Sequence, residues 1–256
     1  MRKSFIAGNW KMNTDSRSSS ALAEGIVNGL RQLDTDGWLD VAVCPPFVYL
    51  QQVARAVSAS NVALGAQDVY YQADGAFTGE ISCRMLKELG CTYVIIGHSE
   101  RRHVIGENDE LINKKLTAAI NNGLLPIFCV GELLEERQAD KTDDVVTAQI
   151  KKGLAGLGEE KVSAITIAYE PVWAIGTGKT ATAGQAEEAH QMIRALITQM
   201  YGPKVAQEIR IQYGGSVKPT NASELMGQEN VDGLLVGGAS LKEDDFTAII
   251  KASLRK

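Results

Sequence analysis

The 256-residue sequence has four cysteines, Cys44, Cys83, Cys91 and Cys129, and no two of them form a Cys-x-x-Cys pair. That scatter excludes the usual spacing of a zinc site and gives no disulfide framework, so no metal is expected. Long apolar runs are missing as well, which excludes a membrane-spanning helix and makes a membrane an unexpected partner. The opening stretch MRKSFIAGNWKMN carries two basic residues, but Asn9 and Lys11 interrupt its apolar part. No secretory leader is expected from it, and the free thiols fit a reducing cytoplasm. Aromatic residues make up 6% of the chain. Basic clusters are absent and the net charge is −5, so nucleic acid is not an expected partner.

What the chain does have is a repeated alternation. Eight short, largely β-branched runs read as strands: Phe5–Asn9, Asp40–Cys44, Val62–Ala66, Tyr93–Gly97, Leu125–Val130, Ala164–Tyr169, Ile209–Tyr213 and Gly233–Val236. Most are apolar throughout, as parallel strands buried on both faces are. Helical periodicity follows each run, for example over Arg17–Leu33, Asp109–Asn121 and Ala183–Met200. No linker, charge run or low-complexity tract divides the chain, so residues 1–256 read as one domain. Strand then helix, eight times in this length, predicts a single (β/α)8 barrel. A doubly wound sheet is the rival, with fewer strands and a glycine fingerprint directly after one of them.

Polar residues crowd the carboxyl ends of the runs. Asn9 and Lys11 follow the first, His98-Ser99-Glu100-Arg101 the fourth and Gly131-Glu132 the fifth. Glu170 follows the sixth, Gly214-Gly215-Ser216 the seventh and Gly237-Gly238 the eighth. In a barrel these ends converge on one mouth, where such folds place their chemistry. Two nearby glycine patterns mislead. Gly178-Lys179-Thr180 looks like the end of a P-loop, but the first glycine of that pattern is replaced by Trp173. Gly176-x-Gly178-x-x-Ala181 fits a relaxed dinucleotide fingerprint, yet six residues separate it from the strand it should leave directly.

The later glycine pairs suit an anion. Without a Cβ their amides can approach an oxyanion closely, and a helix N-terminus after them adds partial positive charge. Either pair alone reads equally as turn glycine; the two together at strands seven and eight favour a phosphate site. Glu170, at the lip of a buried strand, reads as a structural carboxylate or as a general base. His98 precedes an expected helix start at Ser99-Glu100, where an imidazole stays neutral and can donate a hydrogen bond. Lys11 could neutralise a phosphate or an oxyanion, Asn9 could donate to one, and Glu100 could pair with Lys11. Ser99 and Glu100 therefore read as supporting residues, and His103 and His190 as bystanders. A base, a neutral electrophile, a cation and a phosphate cradle suit proton abstraction beside a carbonyl in a small phosphorylated molecule, with no cofactor.

Six segments in order resemble one family. They are Gly8–Asn13, Gly75–Glu80, Gly97–Arg102, Ala168–Gly178, Tyr213–Val217 and Val236–Leu241, and the family is triosephosphate isomerase. The resemblance implies that Glu170 is the base, His98 the electrophile, and Lys11 and Asn9 the stabilisers of an enediolate. It implies phosphate contacts from Gly176, Ser216, Gly237 and Gly238, and a lid over Ile175 to Lys179. It also implies a homodimer joined by the loop whose tip is Thr78, and a phosphorylated triose as substrate. A phosphate-binding barrel without catalysis, and an isomerase of larger sugar phosphates, remain the competing readings.

Overall fold

The computed structural model describes residues 2–31, 33, 37–175 and 180–254. Eight parallel strands close into a barrel in sequence order: β1 (Ser4–Asn9), β2 (Leu39–Cys44), β3 (Val62–Ala66), β4 (Tyr93–Ile96), β5 (Leu125–Val130), β6 (Thr166–Tyr169), β7 (Arg210–Tyr213) and β8 (Gly233–Val236). The seam pairs β1 with β8, with Phe5 opposite Gly233 and Gly8 opposite Val236. Gly233 is required there, because a Cβ would lie 1.9 Å from the carbonyl oxygen of Phe5. The expected (β/α)8 architecture is thus the one observed.

Continuous apolar runs follow from burial on both faces. Alternate residues such as Phe5, Ala7, Tyr93, Ile95 and Ile127 fill the barrel interior. Their neighbours Ile6, Val41, Val43, Val94 and Phe128 pack outward against the helices. The helices are α1 (Ser16–Leu30), α2 (Leu50–Val57), α3 (Cys83–Glu88), α4 (Asp109–Asn121), α5 (Leu134–Gln138), α6 (Thr142–Gly153), α7 (Glu159–Ser163), α8 (Ala183–Glu208), α9 (Pro219–Met226) and α10 (Glu243–Ala252). Asp15 starts α1 by accepting from the amides of Arg17 and Ser18, and Asn108 starts α4 by accepting from Leu111. All four cysteines are free and buried, and burial pushes their thiols up.

Several boundaries differ from the sequence expectation. The helix expected over Arg17–Leu33 ends at Leu30, where the chain turns and the Leu33 amide donates back to Leu30. The strand expected from Ala164 begins at Thr166, since Ala164 and Ile165 still donate to Lys161 and Val162 at the end of α7. Gly97 falls outside β4 because its φ of 73° turns the chain out of the sheet. Beyond Met200, α8 continues through a kink at Gly202 (φ 83°, ψ 167°), and Pro203 opens its second segment.

One buried charge cluster sits outside the barrel mouth. Lys115 Nζ lies 2.8 Å from Asp68 and 2.5 Å from Glu107, and Arg101 reaches the same two carboxylates at 2.9 and 2.7 Å. Two cations therefore face two anions in a site where an unmatched charge would be costly.

Candidate active site

The carboxyl ends of the strands surround a cavity of about 840 Å³. Asn9, Lys11, His98, Glu170, Ser216 and Gly237 all line it, so the structure brings together residues that the sequence scatters over most of its length. Asn9 closes β1 and its Oδ1 accepts from the Lys11 amide at 3.0 Å. That contact bends the backbone, and Lys11 adopts a left-handed φ of 52°. Gln67 fixes this conformation by donating to the carbonyls of Lys11 (2.8 Å) and Cys44 (2.9 Å). The ammonium of Lys11 then sits 2.5 Å from Glu100.

His98 follows Gly97, and Arg102 anchors this corner by donating to Gly97 O (2.8 Å) and Cys129 O (3.1 Å). The expected helix start at Ser99-Glu100 is present, but the helical stretch is short and becomes a π turn over Arg101–Ile105, so a long helix end does not act on the ring. A local amide does: Glu100 N–H donates to His98 Nδ1 at 3.2 Å. An acceptor at Nδ1 leaves Nε2 as the protonated nitrogen, and Nε2 lies 2.9 Å from Glu170 Oε1.

Glu170 is 2% exposed. Its second oxygen accepts from the Ser99 amide at 2.9 Å. Burial disfavours its charge, but His98, the Ser99 amide and Lys11 outweigh burial and hold its pKa below the ordinary value. Burial likewise disfavours a charged His98, and here the Glu170 carboxylate reverses the balance and raises the histidine pKa. Without that carboxylate beside it, burial and the Glu100 amide would both favour neutral imidazole.

Glycines make room on the other side of the mouth. A Cβ on Gly214 would lie 2.9 Å from Glu170 Cγ, and one on Gly215 would lie 2.2 Å from the Tyr213 hydroxyl. Gly237 faces Lys11, whose Cε would be 3.4 Å from a Cβ there, while Gly238 has open space before it. Ser216 stands between β7 and α9, with its carbonyl accepting from Asn221 Nδ2 at 3.1 Å. Gly176, with the rest of the lid segment through Lys179, lies outside the described residues. Thr78 is exposed on its loop and does not line the cavity. Among the described residues, no three His, Cys, Asp or Glu side chains are arranged to hold a metal ion.

Sequence reasoning passed over Glu132, marking it only as a polar strand end. It is fully buried and accepts from the Tyr169 hydroxyl (3.1 Å to each oxygen) and from Trp173 Nε1 (2.9 Å). Its carbonyl accepts from the Val172 amide at 3.1 Å. Glu132 thereby holds the chain on both sides of Glu170. The one available signal was an acid directly after an apolar strand.

A family model described as triosephosphate isomerase matches residues 4–253. Curated relatives of that name are similar over nearly their full length. The protein of Rhodopirellula baltica is 55% identical over 252 residues, covering 98% of each chain. That of Carboxydothermus hydrogenoformans is 54% identical over 254 residues, covering 99% of this chain and 100% of the relative. That of Moorella thermoacetica is 52% identical over 250 residues, covering 98% of each.

Proposed function

Since the chain belongs to the triosephosphate isomerase family, we propose a division of labour among the residues at the barrel mouth for that family's reaction. The reaction is the interconversion of dihydroxyacetone phosphate and D-glyceraldehyde 3-phosphate, a step of glycolysis and gluconeogenesis. Glu170 takes a proton from the carbon beside the carbonyl and returns it to the neighbouring carbon. His98 Nε2–H faces the oxygen on which charge develops, and a preorganised donor there stabilises the enediolate. Lys11 places a positive charge beside the same oxygen and Asn9 offers an uncharged donor. Ser216, Gly237 and Gly238 hold the phosphate, together with Gly176. Glu100 and Ser99 support the first two groups. No cofactor enters this scheme, and residues 1–256 act as one catalytic domain.

The observation that carries the reading is the 2.9 Å pairing of Glu170 with His98 at the cavity wall. A base and a donor in mutual contact reach the two ends of one C–C–O unit. Purified protein in a coupled assay tests it with dihydroxyacetone phosphate and, in parallel, five-carbon sugar phosphates. Turnover of the triose alone is expected; turnover of the five-carbon compounds instead, or binding without turnover, would overturn it.

We further propose a cytoplasmic homodimer. Among the described residues no helix is long and apolar enough to cross a membrane. Met12 (95% exposed), Val48, Phe77, Met85, Val104 and Ile105 expose apolar side chains after β1, β2, β3 and β4, which are consecutive strands of the barrel. The loop bearing Phe77 and Thr78 projects from that side. Sedimentation at micromolar concentration is expected to show twice the 27.6 kDa chain, and a lone monomer would contradict the proposal.

A further inference from the structure

The carboxyl end of β5 is shaped by a side chain from the outer helical layer. Gln149, on α6, presents its whole carboxamide to one residue. Its Oε1 accepts from the Gly131 amide at 2.8 Å, and its Nε2 donates to the Gly131 carbonyl at 3.0 Å. Gly131 has just left the ladder, whose last bond here runs from the Glu170 amide to Val130 O at 2.7 Å. Both backbone groups of Gly131 thus depend on Gln149. Gly131 in turn touches the catalytic segment: a Cβ on it would lie 1.7 Å from the Glu170 carbonyl oxygen and 3.3 Å from its Cα. Among the described residues, no other glycine of the mouth packs so closely on the backbone of the proposed base.

We propose that Gln149 is a positioning residue for Glu170, clamping Gly131 as the surface against which the base's backbone rests. The inference builds on the reading of Glu170 as base. The chain of contact is short and stiff: carboxamide to glycine backbone, glycine to the Glu170 peptide, peptide to carboxylate. Losing the clamp lets the end of β5 shift, and the base shifts with it. Of the residues proposed to hold phosphate, Ser216, Gly237 and Gly238 follow β7 and β8, whereas the carboxamide of Gln149 bonds to Gly131 after β5. Gln149 therefore governs the chemical step and leaves substrate binding almost untouched.

Gln149→Met keeps length and removes both hydrogen bonds; Gln149→Glu keeps the acceptor for the Gly131 amide and removes the donor. We expect kcat to fall about tenfold in the methionine variant, a fraction of the roughly hundredfold cost of a full ångström of misplacement. KM should change less than about twofold, the pattern of an interaction felt in the transition state only. The glutamate variant should fall between the methionine variant and the parent. Combined with Glu170→Asp, the losses should multiply to less than their product, because both act on one placement. An unchanged kcat in either folded variant, a rise in KM alone, or fully multiplicative losses would overturn the proposal; if the methionine variant fails to fold, the glutamate variant decides. A parent with no isomerase activity would instead sink the reading of the site.

Discussion

Glu170 and His98 hold each other across 2.9 Å, and the remaining oxygen of Glu170 takes the Ser99 amide at the same distance. Each oxygen of the proposed base therefore has a donor before a substrate arrives. These contacts favour its carboxylate form, which a proton acceptor needs. They also restrain it, so in the proposed mechanism reaction begins with an exchange of partners: substrate carbon for histidine and amide.

Glu170→Asp keeps the charge and withdraws it by one methylene, about an ångström. Misplacement on that scale costs on the order of 100-fold in kcat. KM should change little, since binding rests on the phosphate contacts. Steady-state kinetics with both trioses check this, and an undiminished kcat removes Glu170 from its role.

Glu132→Gln tests the support under the base. One of its carboxylate oxygens serves both the Tyr169 hydroxyl and Trp173 Nε1. An amide has one acceptor oxygen and brings two donors of its own into a fully buried site. A loss of about 1–3 kcal/mol is expected from the imperfect pairing. Denaturant midpoints at fixed protein concentration measure it, and an equal midpoint would mean the charge is dispensable.

His190, which the sequence marks as a bystander, gives the fold an acid limit. It is completely buried on α8 against Tyr169, and Nδ1 lies 3.2 Å from Asn230 O. Burial lowers its pKa to about 4. The unfolded chain binds a proton near pH 6.5 that the folded chain refuses down to about pH 4. Stability therefore rises with pH across that window and falls on acidification, by about 3 kcal/mol in all. His190→Gln should be less stable at pH 7 yet show a flatter slope between pH 6.5 and 4. Parallel slopes for parent and variant would refute the assignment.

Lys115→Met removes one cation from the cluster with Asp68, Glu107 and Arg101. Two buried carboxylates would then share a single guanidinium. Breaking a buried pair by deleting one partner costs about 3–5 kcal/mol. Part of that loss should return at low pH, where burial already holds the Asp68 pKa above its ordinary value and the acid protonates readily. A variant as stable as the parent at pH 7 would show that water reaches the cluster.

The eight strands are legible in the sequence because burial on two faces keeps polar residues within them few; Gln212 in β7 is an exception whose Nε2 donates to Phe5 O. α4 matches its expected bounds, since Asn108 caps it and Asn122 and Gly123 end it. α1 is overestimated because Leu33 continues the apolar period while the backbone has already turned. At the mouth, Asn9, Lys11, His98, Glu170, Ser216 and the glycine pair are readable as polar or small residues at strand ends. Glu132, Gln149 and Gln67 are not. Each works through a backbone group or a side chain well away in sequence, and a lone Gln on a helix face or just past a strand gives no sign that it will meet Gly131 or Lys11. His98 shows the limit from the other side: its position is readable, but the carboxylate that sets its charge is known only from the folded neighbourhood.

The seam between β1 and β8 sets an order in time. A ribosome delivers Lys11, His98 and Glu170 well before Ser216, Gly237 and Gly238, and the edge of β1 that meets β8 has no neighbour until Gly233 to Val236 emerge. Throughout that interval the growing polypeptide carries an open row of amides and carbonyls, the kind of edge on which chains stick to one another. Translation that stops short of β8 should therefore yield aggregates with no trace of activity, and the last strand's release should bring solubility and catalysis in a single step.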